Sequence, residues 1–162
     1  MPGGEASMVA VLFVYLLSLI CWLGAMVFFV VVTQTAFTAL PKVEAGTFLA
    51  ALFPRYYLFG YVSGAIAVIL GIFLCATRMP RMWWAIAVLA LAIALGLTTY
   101  AGAVVRPRVD AIRTVTEEAN PDPARRAEFD RLHHLSIMLN GAVMLINLGA
   151  LLASTVALTP RA

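Results

Sequence analysis

A polar stripe runs through the last long apolar stretch of the chain. His133, Ser136, Asn140, Asn147 and Ser154 follow one another at three-, four- and seven-residue spacings. At helical periodicity these side chains share one face of one helix. In hydrocarbon each unpaired donor or acceptor would cost about 1 to 3 kcal/mol, so that face must turn inward to find partners. Amides and hydroxyls placed there can tie helices together or bind a ligand through hydrogen bonds. The imidazole adds proton handling and metal ligation, since its nitrogen suits copper, zinc and haem iron, and a thioether from Met26 or Met138 suits Cu(I). His133 and His134 are adjacent and point about 100° apart on a helix, so they cannot cap one haem from opposite sides. Bis-histidine haem within the chain is excluded, and a single-histidine haem or a copper ion at His133 stays open.

A second grouping comes from helix direction. If the apolar stretches alternate in direction, the first ends, the third ends and the fourth begins at one membrane boundary. Gln34, Arg106, Asp110 and His133 then reach similar depth, with Asp110 four residues from Arg106 and three from Arg113. On the first stretch Tyr15, Ser18 and Trp22 share a face and offer partners to Asn140 and Asn147. The ligand-binding candidates are therefore His133, Arg106, Asp110, Asn140, Asn147, Gln34 and Trp22, with His133 the metal candidate. No catalytic residue can be named, and a bound cofactor is not required by any of these residues.

The elements that must carry these side chains follow from composition. The apolar fraction is 63% and the charged fraction 12%, against roughly half and one quarter in soluble domains. A hydrocarbon core of about 30 Å takes roughly 20 helical residues. Four windows qualify, Met8 to Thr33, Tyr57 to Thr77, Met82 to Val105 and Leu135 to Leu158. The expected fold is an all-α, antiparallel four-helix transmembrane bundle forming a single domain over residues 1–162. The first window is too long for the apolar part of a secretory signal, and Met1 to Ser7 lacks Lys and Arg, so it reads as a permanent span.

The connections carry signals of their own. Pro41 to Arg55 holds Phe48, Leu49, Leu52 and Phe53 before Arg55, Tyr56 and Tyr57, which predicts a short helix in the headgroup region. Val105, Val109, Ile112 and Val115 keep helical spacing past Pro107, and Asn120 to Pro123 is a turn and restart with Asp122 as N-cap and Pro123 first in the helix. The third and fourth helices should thus project beyond the bilayer as a hairpin. Small-residue stripes, Gly60, Gly64, Ala67, Gly71 and Cys75 on the second helix and Ala92, Gly96, Thr99 and Ala103 on the third, are expected as packing seams. Cys21 and Cys75 differ in depth by roughly 15 Å, beyond disulfide reach, and are expected to be free.

Charge bears on orientation and on what the protein does not do. Lys42, Arg55 and six arginines of the third connection outnumber Arg78, Arg81 and Arg161, which favours external termini, although Arg78 and Arg81 in a very short turn pull the other way. No Asp, Glu, Lys or Arg falls inside the four windows, so the carboxylate relay of a proton-driven pump is missing. No nucleotide-binding loop, Ser-His-Asp set or metalloprotease spacing is present. The net charge of +3 suits anionic headgroups and does not call for nucleic acid.

The order of residues carries a resemblance. Cys21-Trp22-Leu23-Gly24, Phe28-Phe29, Phe37, Ala45-Gly46, Leu52-Phe53 and Arg55-Tyr56-Tyr57 form the first half of the pattern. Arg106-Pro107-Arg108-Val109-Asp110, Phe129-Asp130-Arg131-Leu132-His133, Leu135-Ser136 and Leu139-Asn140 form the second. The chain resembles a family of small four-helix membrane proteins similar to eukaryotic transmembrane protein 205, whose bacterial relatives form a domain of unknown function. The resemblance implies a loose grouping with copper-resistance CopD-like and haem-pathway HemJ-like bundles, and the eukaryotic member is associated with resistance to a platinum drug. It also implies a bacterial inner membrane, and it matches His133, Arg106, Pro107, Asp110, Asn140, Trp22 and Gly24 position by position. Three functions remain open: a protein handling a metal or small ligand at the boundary cluster, an accessory subunit of a larger membrane complex or homo-oligomer, and a haem-dependent oxidoreductase like the HemJ-type bundles.

Overall fold

A computed structural model describes residues 2–113 and 122–159. Among them are four long helices, α1 (Pro2–Ala39), α2 (Lys42–Thr77), α3 (Arg81–Ile112) and α4 (Pro123–Leu158), each long and apolar enough to cross a membrane. The chain is an all-α integral membrane protein, as its composition requires. Each helix packs against its neighbour in sequence, and α1 meets α4 along a looser seam that closes the ring. Asp122 caps α4 by accepting a hydrogen bond from the Ala124 backbone N–H, with Pro123 as the first helical residue. Both α3 and α4 run past the apolar windows as expected. The tip of that hairpin, including Val115, Asn120 and Pro121, lies outside the described residues.

The seams show how the ring closes. On α2 the expected stripe is buried at Gly60, Gly64, Ala67 and Gly71. A Cβ at Gly64 would stand 2.9 Å from the Trp22 ring, and one at Gly71 would stand 3.1 Å from Val88 and 3.3 Å from Tyr15. Absent side chains on α2 thus let the large rings of α1 enter the core, where Tyr15, Leu19, Trp22 and Met26 are all buried. Trp84 from α3 meets Tyr15 edge to face at 5.7 Å.

Two expectations about the helices need correction. Pro41 to Arg55 is not a separate interfacial helix but the first turns of α2, which continues through Pro54. Ala45 and Leu49 bury against Ala36 of α1, with Phe29, Val32 and Phe53 around them, so this segment has a partner inside the bundle and no reason to lie flat. On α3 the stripe Ala92, Gly96, Thr99 and Ala103 faces outward, and Trp84, Ala87, Leu91, Ala94 and Thr98 are buried instead. Both faces of α3 hold small residues at helical spacing. The glycine seam of α2 already brings backbones close, so the space opposite it is filled by the bulkier face. Cys21 and Cys75 are free thiols.

Candidate functional site

From Ser136 to Ser154 the fourth-helix stripe turns inward and forms a discontinuous polar column through the bundle, whereas His133 at its start is exposed. At one end the Tyr15 hydroxyl and Ser154 Oγ share a 2.7 Å hydrogen bond, both residues fully buried. Midway, Asn147 is fully buried and its amide donates weakly to Met26 Sδ at 4.0 Å. Nearer the hairpin end, the Tyr56 hydroxyl donates to Asn140 Oδ1 at 2.8 Å while the Asn140 amide donates to the Ser136 carbonyl at 2.9 Å.

The partners differ from those expected on α1. Ser18 bonds back to the Tyr15 carbonyl, and Trp22 packs in the glycine seam. The antiparallel register that faces Tyr15 with Ser154 and Met26 with Asn147 brings Asn140 level with Phe29 and its apolar neighbours. The hydrogen bond must come from elsewhere, and α2 supplies it through Tyr56, whose ring stacks on Phe29 at 4.3 Å. Since intramembrane hydrogen bonds average about 0.6 kcal/mol and reach about 2, Asn140→Leu should cost roughly 1 kcal/mol and leave the protein folded. Tyr56→Phe should cost a similar amount, and the double variant should show coupling when unfolding is measured in detergent. Additive effects would mean that the bond contributes nothing.

At the mouth of the bundle the structure brings Arg106, Asp110 and Asn140, candidates from the sequence, beside Tyr57, Tyr61 and Gly102, which sequence reasoning did not single out. Between Ala101 and Val105 α3 widens into a π turn, and the Arg106 N–H reaches back to the Ala101 carbonyl. The cause is local: Pro107 has no N–H for the carbonyl four residues back and its ring crowds that carbonyl, which a widened turn relieves. The extra residue rotates everything after it by about 100°. Arg106 then reaches α2, where Nη2 meets the Ala50 carbonyl at 3.5 Å, and it pairs with Asp110 Oδ2 at 3.1 Å.

Gly102 lies in the same turn, and a Cβ there would run into the Tyr61 hydroxyl and stand 2.8 Å from the Tyr57 ring. The tyrosines are held as a set. Tyr57 meets Tyr56 edge to face at 5.2 Å, stacks with Tyr61 at 6.2 Å and stacks with Phe53 at 6.1 Å. The buried Tyr57 hydroxyl lies near Asn140, Ser136, Arg106 and Asp110 but among the described residues closes no hydrogen bond of good geometry. Arg106 Nε is likewise buried without a hydrogen-bond partner among the described residues. The spacing of Tyr57 and Tyr61, one turn apart beside Arg55, was the available signal, but aromatics beside a basic residue at a span boundary also fit a simple headgroup anchor.

Of the four residues expected at one boundary, the structure pairs Arg106 with Asp110. Gln34 and His133 are exposed, and the His133 ring stacks parallel on Phe129 at 5.7 Å. Leu132 takes the inward position beside it. Heptad spacing explains this, because an ideal helix drifts about 20° per seven residues, so a residue three heptads from Ser154 lies about 60° off its line. Among the described residues no three His, Cys, Asp or Glu side chains come together to hold a metal ion.

Residues 17–118 match the family model described as domain of unknown function (DUF4149), and the chain belongs to that family. Neither a curated protein nor a solved structure matches the chain. The matched span includes α2 and all of α3, and so contains Tyr56, Tyr57, Tyr61, Gly102, Arg106 and Asp110.

Proposed function

We propose that this protein binds a small polar ligand at the mouth of the bundle, between the tyrosines of α2, the π turn of α3 and Asn140 of α4. One observation carries the reading: among the described residues two buried donors, the Tyr57 hydroxyl and Arg106 Nε, close no hydrogen bond of good geometry where α3 widens, although the Asn140 and Ser136 side chains lie near the hydroxyl. A buried unpaired donor costs about 1 to 3 kcal/mol, and such groups in a folded protein call for an explanation. A ligand supplying acceptor oxygens would satisfy both donors. Asp110 already offsets the Arg106 charge, which favours a neutral or singly charged ligand with a carbonyl, carboxylate or similar group.

A kinship with transmembrane protein 205 and the CopD- and HemJ-like bundles, and residence in a bacterial inner membrane, belong to the same proposal. Their support is the pair of motifs Arg55-Tyr56-Tyr57 and Arg106-Pro107-Arg108-Val109-Asp110, which supply much of the mouth.

Tyr57→Phe tests the reading through both stability and binding. Removing an unpaired hydroxyl sacrifices no hydrogen bond, so the ligand-free variant should be as stable as the parent or about 1 kcal/mol more so. Small molecules extracted from the detergent-purified parent should include a species absent from Tyr57→Phe and Arg106→Gln preparations. A destabilised Tyr57→Phe variant, or identical extracts from all three proteins, would overturn the assignment.

A further inference from the structure

On the outside of the bundle, at the same end, α3 and α4 enclose an open groove of about 330 Å³ lined by Tyr100, Val104, Arg108, Arg131, His134 and Met138 among others. It is separate from the tyrosine mouth, which lies on the α2 side of α3. Arg108, Arg131 and His134 are exposed. Among the described residues no carboxylate is within ion-pair distance of either arginine: Asp110 is engaged by Arg106, Asp130 by Arg126, Asp122 caps α4, and Glu128, exposed three residues before Arg131, makes no ion pair with it.

The groove also has a direction. On α3, moving from Arg108 through Val104 to Tyr100 leads into the apolar window. On α4, moving from Arg131 through His134 to Met138 does the same. Cationic groups thus lie at the level where the apolar windows end, and an apolar floor continues from them toward the hydrocarbon. That gradient is the one an amphiphile has in a bilayer, with its charge at the interface and its chain below.

We propose that this groove holds one anionic phospholipid, its phosphate among Arg108, Arg131 and His134 and an acyl chain along Tyr100, Val104 and Met138. Exposed apolar surface elsewhere on the bundle meets any lipid. Here the unpaired positive charge and the concave wall select one headgroup class and hold it in register with the hairpin.

The experiment is a titration of the full-length protein in neutral detergent with dioctanoyl phosphatidylglycerol, with dioctanoyl phosphatidylcholine and inorganic phosphate as comparisons. Binding is read by calorimetry and bound lipids are counted by native mass spectrometry. One phosphatidylglycerol should bind in preference to phosphatidylcholine. At about 1 kcal/mol per interfacial cation, the Arg108→Gln/Arg131→Gln double variant should bind about thirtyfold more weakly. Arg55→Gln removes an exposed charge near the same end of α2 and should weaken binding by no more than about fivefold, the worth of one nonspecific charge. Met138→Trp, which fills the groove and keeps its charges, should also weaken binding, and it carries the test if the double variant does not fold. Equal binding of phosphatidylcholine would overturn the proposal, as would full binding by the double variant or by Met138→Trp. Inorganic phosphate competing at equal concentration would make the site one for a free anion and overturn the lipid assignment.

Discussion

Trp22→Ala should lower the unfolding free energy by about 3 kcal/mol, the low end of the range for removing a buried tryptophan. The ring is 2% exposed and sits where α2 has no side chains, within 3.2 Å of a Cβ built at Gly60 and 2.9 Å of one built at Gly64. In water part of such a loss is the transfer of apolar surface. Within a bilayer the lipid tails are as apolar as the core, so the cost reduces mainly to lost packing contacts and the cavity left behind. The two glycines cannot fill that cavity. Reversible unfolding in detergent or bicelles measures the effect, and Trp22→Phe should fall between parent and alanine variant. A loss under about 1 kcal/mol would show that the helices close over the gap and that the glycine seam does not depend on the ring.

Gly102→Ala should be the most damaging single change at the tyrosine mouth. The added carbon meets the Tyr61 hydroxyl and the Tyr57 ring. Tyr57 is fixed in turn by Phe53 and Tyr56, so it cannot simply swing aside. Overpacking of this kind costs about 1 to 3 kcal/mol, and relief requires either ring displacement or loss of the π turn. Either response moves Arg106 relative to Tyr57, so ligand retention should fall together with stability. The control is Gly96→Ala on the same helix, where nothing lies within 4 Å of the added carbon. That change should be neutral or stabilising by up to about 1 kcal/mol through helix propensity. Matching effects from the two substitutions would mean that the close approach at Gly102 carries no energetic weight.

These variants probe contacts that sequence spacing made legible to different degrees. The inward turn of Asn140, Asn147 and Ser154 was readable because hydrocarbon leaves polar groups no alternative, and a single helix fixes their common face. The same reasoning placed His133 on that face. It failed to bury the ring because angular drift over three heptads accumulates to about 60° and Leu132 competes for the inward position. The glycine stripe of α2 was readable as a seam, whereas the equivalent stripe of α3 was not, since α3 has small residues on two faces and only its neighbours select between them.

By itself the sequence determined the number of spans, the all-α class, the start of α4 at Asp122 and Pro123, and the inward face of α4 from Asn140 to Ser154. These follow from hydropathy, chain length and local capping, each of which acts within one segment. Only the tertiary structure decided that Pro41 to Arg55 joins α2, that Tyr56 rather than an α1 residue bonds Asn140, and that a π turn before Pro107 aims Arg106 at the tyrosines. Those outcomes depend on register between helices, which arises from how one helix surface meets another, and on a one-residue change of phase in α3, which Pro107 favours locally but whose effect on the aim of Arg106 depends on where α2 lies.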